Sequence, residues 1–109
     1  MSREKGDIAE ERAVTFLCEN GFEVVERNFY SRFGEIDIIA YKESVLHFVE
    51  VKSGEDYEKA IQNITPAKLS KLIKTANVYM KKGNYEEDYC FDAVIVTPKE
   101  VQLIENITL

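Results

Sequence analysis

The sequence lacks the features that define several large classes of protein. None of its 109 residues fall in an apolar run long enough to span a bilayer, and no apolar segment follows a basic one near the N-terminus. Neither insertion nor export is indicated, and the expected location is cytoplasmic. Cysteine is scarce: Cys18 and Cys90 lie far apart with no Cys-x-x-Cys or Cys/His ligand spacing. Buried free thiols are expected of them rather than a disulfide or a zinc site. There is no repeat and no low-complexity segment. The one histidine, His47, is read as structural, facing the same way as Val49 and Val51. Positive charge is in deficit, with 14 Lys and Arg against 20 Asp and Glu, a formal net charge of -6 and a pI near 4.8. That balance excludes a protein that coats nucleic acid indiscriminately, although it leaves room for a local basic surface.

What is present suits one domain over residues 1–109, with 45% hydrophobic residues to build its own core. Helical spacing runs from about Ile8 to Asn20, with Asp7 as N-cap and Gly21 as stop. Phe22–Phe29 and two further apolar runs flanking Lys42-Glu43-Ser44 read as three consecutive strands. A weaker helical turn is expected over Asp56–Asn63. Thr65 caps and Pro66 opens a long helix that ends at about Lys82, before Gly83. Phe91–Thr97 is nearly continuously apolar, as in a strand covered on both faces, and Pro98-Lys99-Glu100 turns it into a last strand from Val101 to about Asn106. The order is α-β-β-β-α-β-β, an α/β fold. Its long helix permits a right-handed parallel crossover, which predicts a mixed sheet of about five strands with helices on both faces.

The hairpin from Gly34 to Lys52 holds the most chemistry. A turn centred on Glu43 and Ser44 sets Asp37 opposite Glu50 and Glu35 opposite Lys52, with Phe48, Glu50 and Lys52 on one face. An odd-length loop would instead put the two acids on opposite faces. Carboxylates about 5 Å apart repel by roughly 3 kcal/mol at an effective dielectric of about 20. A hard, oxygen-preferring divalent cation such as Mg²⁺ or Mn²⁺ would remove that penalty while keeping positions for water and a phosphate. The bland alternative is a cross-strand pair of Lys52 with Glu35, the other acids splaying into solvent.

Two helices carry further candidates. On the first, Ala9, Ala13, Val14, Phe16 and Leu17 form an apolar arc and Glu10 falls inside it, while Glu11 and Glu19 fall outside. A core-facing carboxylate needs a partner, which is either the hairpin site or Arg27. On the second, Leu69, Leu72, Ile73, Ala76, Tyr79 and Met80 face one way, and Lys68, Lys71, Lys74, Lys81 and Lys82 the other. Without acids for local pairing, that face is either a solvated surface or a seat for a phosphate backbone. Asp92 is expected to cap a neighbouring turn or to approach the site.

With these residues in place, the chain resembles the YraN-like family of small bacterial proteins, assigned to the PD-(D/E)xK nuclease superfamily and similar to Holliday-junction resolvases. The likeness covers nearly the whole chain. It is carried by Gly6-Asp7-Ile8-Ala9-Glu10 with Ala13, Arg27-Asn28, Gly34-Glu35-Ile36-Asp37, Phe48-Val49-Glu50-Val51-Lys52, Lys68 and Phe91-Asp92. The resemblance implies a restriction-endonuclease-like fold in which Asp37 and Glu50 bind Mg²⁺ and Lys52 positions the attacking water. Glu10 corresponds to the helical acid of the resolvase-like branch, and Glu35 is a supporting candidate. The implied activity is metal-dependent cleavage of DNA, selective for branched substrates, with Lys68, Lys71 and Lys74 on flanking phosphates and a homodimer for paired incision. The alternative is a catalytically silent nucleic-acid-binding module. This chain departs from the family pattern at Ser53-Gly54 and Cys90, where arginines are usual, and so lacks two expected phosphate contacts.

Overall fold

Chain order and strand pairing follow from the punctuation of the sequence. A computed structural model describes the backbone from Ser2 to Thr108 and the side chains from Gly6 to Thr108. Helix α1 (Ser2–Glu19) leads into β1 (Glu23–Ser31), β2 (Gly34–Lys42) and β3 (Val45–Ser53). The short α2 (Tyr57–Ile61) and the long α3 (Pro66–Lys82) then carry the chain to β4 (Asp88–Val96) and β5 (Val101–Ile104). The five strands form one sheet in the order β1-β2-β3-β4-β5, antiparallel except where β3 and β4 run parallel. This is the mixed α/β architecture expected from the sequence, with the weak helical turn realised as α2.

Boundaries move by a few residues, for local reasons. Asp7 is not the cap of α1, because the helix already runs from Ser2; Arg3, Glu4 and Lys5 are good helix formers, and one glycine at position 6 does not stop them. Gly21, at φ 87°, ends the helix as expected. Thr65 caps α3 by accepting the Lys68 N–H, with Pro66 in the first turn and Gly83 at the end. Asp56 does the same for α2 through the Lys59 N–H, at 2.8 Å. β4 begins three residues before the apolar run, at Asp88, where pairing with Val45 starts the parallel ladder.

Each face of the sheet buries one helical layer. Ala9, Ala13 and Leu17 of α1 pack on Ile38, Ala40, Val49, Val94 and Val96. Leu72, Ala76 and Tyr79 of α3 pack on Phe29, Ile36, Ile39, Leu46, Phe48 and Phe91 on the other face. Ala60 of α2 sits against Ala93 and Ile95. Each fully buried large aliphatic chain contributes roughly 1.5–3 kcal/mol. Gly54 is needed where α2 meets β3, since a Cβ there would stand 3.1 Å from the Ala60 nitrogen. The expected apolar arc of α3 needs one correction. Ile73 is 37% exposed, and the buried place goes to Thr75, whose hydroxyl bonds Ser31 Oγ at 2.9 Å.

The hairpin closes on a two-residue turn with Glu43 at φ 52° and Ser44 at φ 68°, between the paired residues Lys42 and Val45. Positive φ at both central residues is the geometry that matches strand twist, and the hairpin adopts it without glycine. The ladder then pairs Tyr41 with Leu46, Ala40 with His47, Ile39 with Phe48 and Ile38 with Val49. The pairing ends there, one step short of Asp37 and Glu50, which the sequence sets opposite each other.

Candidate metal centre

The β2–β3 ladder stops at Ile38 and Val49, and the side chain of Asp37 takes over from the backbone. Its Oδ2 accepts the Val51 N–H at 2.8 Å. The opposite flank of β2 is irregular as well. Arg27 pairs with Ile38 and Phe29 with Ile36, while Asn28 between them sits at φ 55°. Ile36 packs under α3 and Ile38 under α1, so the side-chain alternation of β2 breaks at Asp37. A kink of this kind re-aims a side chain next to a site, and asparagine tolerates the left-handed backbone it needs.

Asp37 therefore sits where β2 and β3 splay. It shares a cavity of about 250 Å³ with Gly6, Asp7, Glu10, Asn28, Glu35, Val51 and Ser53. Burial, and after it a hydrogen bond and charge repulsion from Glu50, push the Asp37 carboxyl up to about 8, against the Val51 N–H and the Lys52 charge. Glu35 is also raised, first by burial and then by the charges of Asp37 and Glu10, with a hydrogen bond from Tyr30 opposing. Crowding of like charges, inferred from the register alone, is thus present in the folded chain.

The sequence candidates are brought together unevenly. Glu10, Glu35 and Asp37 line one cavity, and Glu50 reaches Asp37. Lys52 stands beyond Glu50, its Nζ 3.7 Å from Glu50 Oε1. The expected cross-strand pairing of Lys52 with Glu35 does not form, because the β2–β3 ladder ends at Ile38 and Val49 and the Lys52 ammonium pairs with Glu50. Glu10 points inward as the helical angle predicts. Its Oε1 accepts from Arg27 Nε at 3.2 Å and Asn28 Nδ2 at 3.1 Å, so both suggested partners, Arg27 and the hairpin site, are at hand. Glu11 pairs with the same guanidinium at 2.7 Å. In donor chemistry the cluster is all oxygen: carboxylates from α1, β2 and β3, partly buried, with more negative charge than their neighbours neutralise. That set suits a hard divalent cation.

Comparison with known proteins fits this geometry into a family. The family described as "Uncharacterised protein family UPF0102" matches residues 9–96, a span that contains Glu10, Glu35, Asp37, Glu50, Lys52 and Asp92. The chain belongs to this family. Similar proteins named UPF0102 protein include one from Sulfurimonas denitrificans, 66% identical over 109 residues, and one from Wolinella succinogenes, 55% identical over 109 residues. Another, from Aliarcobacter butzleri, is 51% identical over 110 residues. In all three pairs, 100% of each chain is covered, so the family likeness extends to the whole of this sequence.

Around the cavity lie residues that sequence reasoning passed over. Asn28 and Tyr30 of β1 hydrogen-bond the acids, and Arg32 and Phe33 form the β1–β2 turn beside Gly34. The Arg32 guanidinium lies 4.8 Å and the Lys74 Nζ 5.7 Å from the Phe33 ring centre. A Cβ at Gly34 would be 3.8 Å from Lys71 Cβ, so the basic face of α3 approaches the strand that carries Asp37. Lys68, Lys71, Lys74, Lys81 and Lys82 are all exposed, and none has an ion-pair partner among the described residues. The signal in the sequence was Arg32-Phe33, a cation and an aromatic ring in a turn two residues ahead of Glu35.

The departures from the family pattern also acquire a setting. Ser53 and Gly54 line a cavity of about 400 Å³ with Arg12, whose Nη1 donates to the Thr97 carbonyl at 2.6 Å. One other expectation fails: Cys18 is exposed, since it lies off the buried stripe of α1. Of the two places expected for Asp92, it takes the structural one: fully buried in the middle of β4, level with Val49 of β3, it bonds His47 and accepts the Asn106 N–H after β5.

Proposed function

We propose that the chain is a metal-dependent endonuclease of the PD-(D/E)xK type, hydrolysing phosphodiester bonds in DNA and selective for branched or distorted substrates. The observation that supports this most is the convergence of carboxylates from α1, β2 and β3 on Asp37, beside Lys52. Asp37 and Glu50 would hold Mg²⁺ or Mn²⁺, with Glu10 and Glu35 completing or tuning the set. When bound, the cation supplies charge neutralisation at the phosphate and acidifies a water. The protein's part is positional. The Val51 N–H fixes the Asp37 carboxylate, Glu50 orients the Lys52 ammonium, and that ammonium holds the nucleophilic water or the charge that builds on the phosphoryl oxygens. Lys68, Lys71 and Lys74, with Arg32, would carry the flanking backbone. Paired incision would use a homodimer.

A second reading, a silent DNA-binding module, draws on the occupancy of Glu10 by Arg27 and Asn28 and on the closed Glu50–Lys52 pair. Cleavage of labelled four-way-junction, flap, single-stranded and duplex DNA with Mg²⁺ or Mn²⁺ separates the two. The nuclease reading expects metal-dependent cutting that disappears in Glu50→Ala. Binding without cutting, under every metal, moves the silent module ahead; cutting that persists in both Glu50→Ala and Asp37→Ala removes the assigned site.

A further inference from the structure

A second polar cluster lies at the hairpin-turn end of β3, away from the carboxylate site. The parallel register pairs His47 with Cys90 and Val49 with Asp92, which sets His47, Cys90 and Asp92 on the α1 face of adjacent strands. His47 Nδ1 is 2.6 Å from Asp92 Oδ2 and 3.1 Å from Cys90 Sγ, and Cys90 Sγ is 3.7 and 3.9 Å from the two Asp92 oxygens. The three ligand atoms, one nitrogen, one sulfur and one oxygen, all lie within 4.8 Å of one another.

This is not the arrangement of a thiol hydrolase. A nucleophile and an orienting carboxylate need opposite nitrogens of the imidazole, whereas here both sit on Nδ1. The Cys90 thiol is also pushed up to about 12, first by burial and then by the charge of Asp92, which makes it a slow nucleophile in the absence of a cation. Three different donors converging on one point are instead the pattern of a metal centre. With Zn–S near 2.3 Å and Zn–N and Zn–O near 2.0–2.2 Å, tetrahedral ligand-to-ligand edges come to about 3.3–3.6 Å. The sulfur–oxygen edge to Oδ2, at 3.9 Å, closes by about 0.3 Å, while the nitrogen–sulfur edge opens by about 0.5 Å and the nitrogen–oxygen edge by about 0.8 Å. The Asn106 N–H donates to Asp92 Oδ1 at 3.0 Å, which leaves Oδ2 for a ligand and fixes the carboxylate from behind. His47 also lines a cavity of about 400 Å³ with Phe16, Asn20, Phe22 and Lys42, which gives the cluster a way in from solvent.

We propose that His47, Cys90 and Asp92 form a second, borderline-soft metal site that takes Zn²⁺, with a water as fourth ligand, separate from the oxygen-only site at Asp37. Binding displaces the thiol proton of Cys90 and the proton shared by His47 and Asp92 to solvent. The ion ties β3 to β4, so its role is to clamp the sheet rather than to cut.

The test uses the full chain, stripped with chelator and titrated with Co²⁺ and then Zn²⁺. The expected result is a thiolate-to-cobalt charge-transfer band with the visible bands of tetrahedral cobalt, bleached by one equivalent of Zn²⁺. Cys18→Ser and Asp37→Asn keep that band and Cys90→Ser loses it, while His47→Gln weakens affinity at least tenfold. In the unmutated protein, one equivalent of Zn²⁺ slows alkylation of Cys90 and leaves that of Cys18 unchanged, which covers the case of a variant that fails to fold. A charge-transfer band absent from the native protein, or surviving in Cys90→Ser, or equal alkylation of Cys90 with and without Zn²⁺, overturns the proposal.

Discussion

The two carboxylate clusters on this sheet have opposite relations to the fold. At one end of β3, Asp37 meets Glu50, Glu35 and Glu10 with too little positive charge to satisfy them, and its own proton is retained to about 8. Nearer the hairpin turn, Asp92 of the middle of β4 is fully buried yet accepts from the imidazole of His47, the thiol of Cys90 and the backbone of Asn106. The first cluster costs stability and the second supplies it. A fold that tolerates the first has a use for it that packing alone does not explain, whereas the second is explained by structure before any ligand is added.

The largest expected effect tests the satisfied cluster. Asp92→Ala strips the acceptor from three part-buried donors and should destabilise the protein by about 2–3 kcal/mol, read from urea unfolding. A loss under about 1 kcal/mol would mean that those bonds matter little. Next is the crowded cluster, where the sign reverses. Asp37 has a folded value near 8 against 3.8 in the unfolded chain, so between those values the native state binds more protons. Stability of the metal-free protein therefore falls as pH rises from about 4 to about 8, by at most about 1.4 kcal/mol per pH unit, and levels off above. Asp37→Asn should flatten that slope and gain about 2 kcal/mol at pH 8; a variant less stable than the parent there would show that the carboxylate is not strained. Glu10→Gln keeps an acceptor for Asn28 and loses only the charge of a part-buried pair with Arg27, which keeps Glu11 at 2.7 Å, so about 1 kcal/mol is expected, together with at least a tenfold drop in Mn²⁺ affinity. The smallest stability effect, within about 0.5 kcal/mol, belongs to Lys71→Ala and Lys74→Ala. Each should nonetheless weaken DNA binding and reduce its salt slope by about one; unchanged slopes would take the basic face out of the interface.

The contrast also explains what could be read in the sequence. The crowded cluster was legible because it depends on local arithmetic: a two-residue turn at Glu43-Ser44 fixes the register that joins Asp37 to Glu50. Glu10 was legible from the helical angle. The satisfied cluster was not, because His47 and Asp92 are 45 residues apart and meet only through the parallel β3–β4 register, which no ligand spacing announces. The kink at Asn28 was likewise hidden, since a left-handed residue inside a strand leaves no mark in the pattern of apolar residues. Ile73 and Cys18 failed for a simpler reason. Helical angle gives direction, but the extent of the covering sheet decides which residues on a face are buried.

The central claim is that the acids at Asp37 are crowded in order to hold a cation. Titration of the chelator-stripped protein with Mn²⁺ at pH 8, followed by the electron paramagnetic resonance of free Mn²⁺, tests it in one measurement on the parent and on Asp37→Asn. The account predicts one bound Mn²⁺ per chain in the parent and none at the same concentrations in the variant. Equal binding by the two proteins, or no binding by the parent, would contradict it.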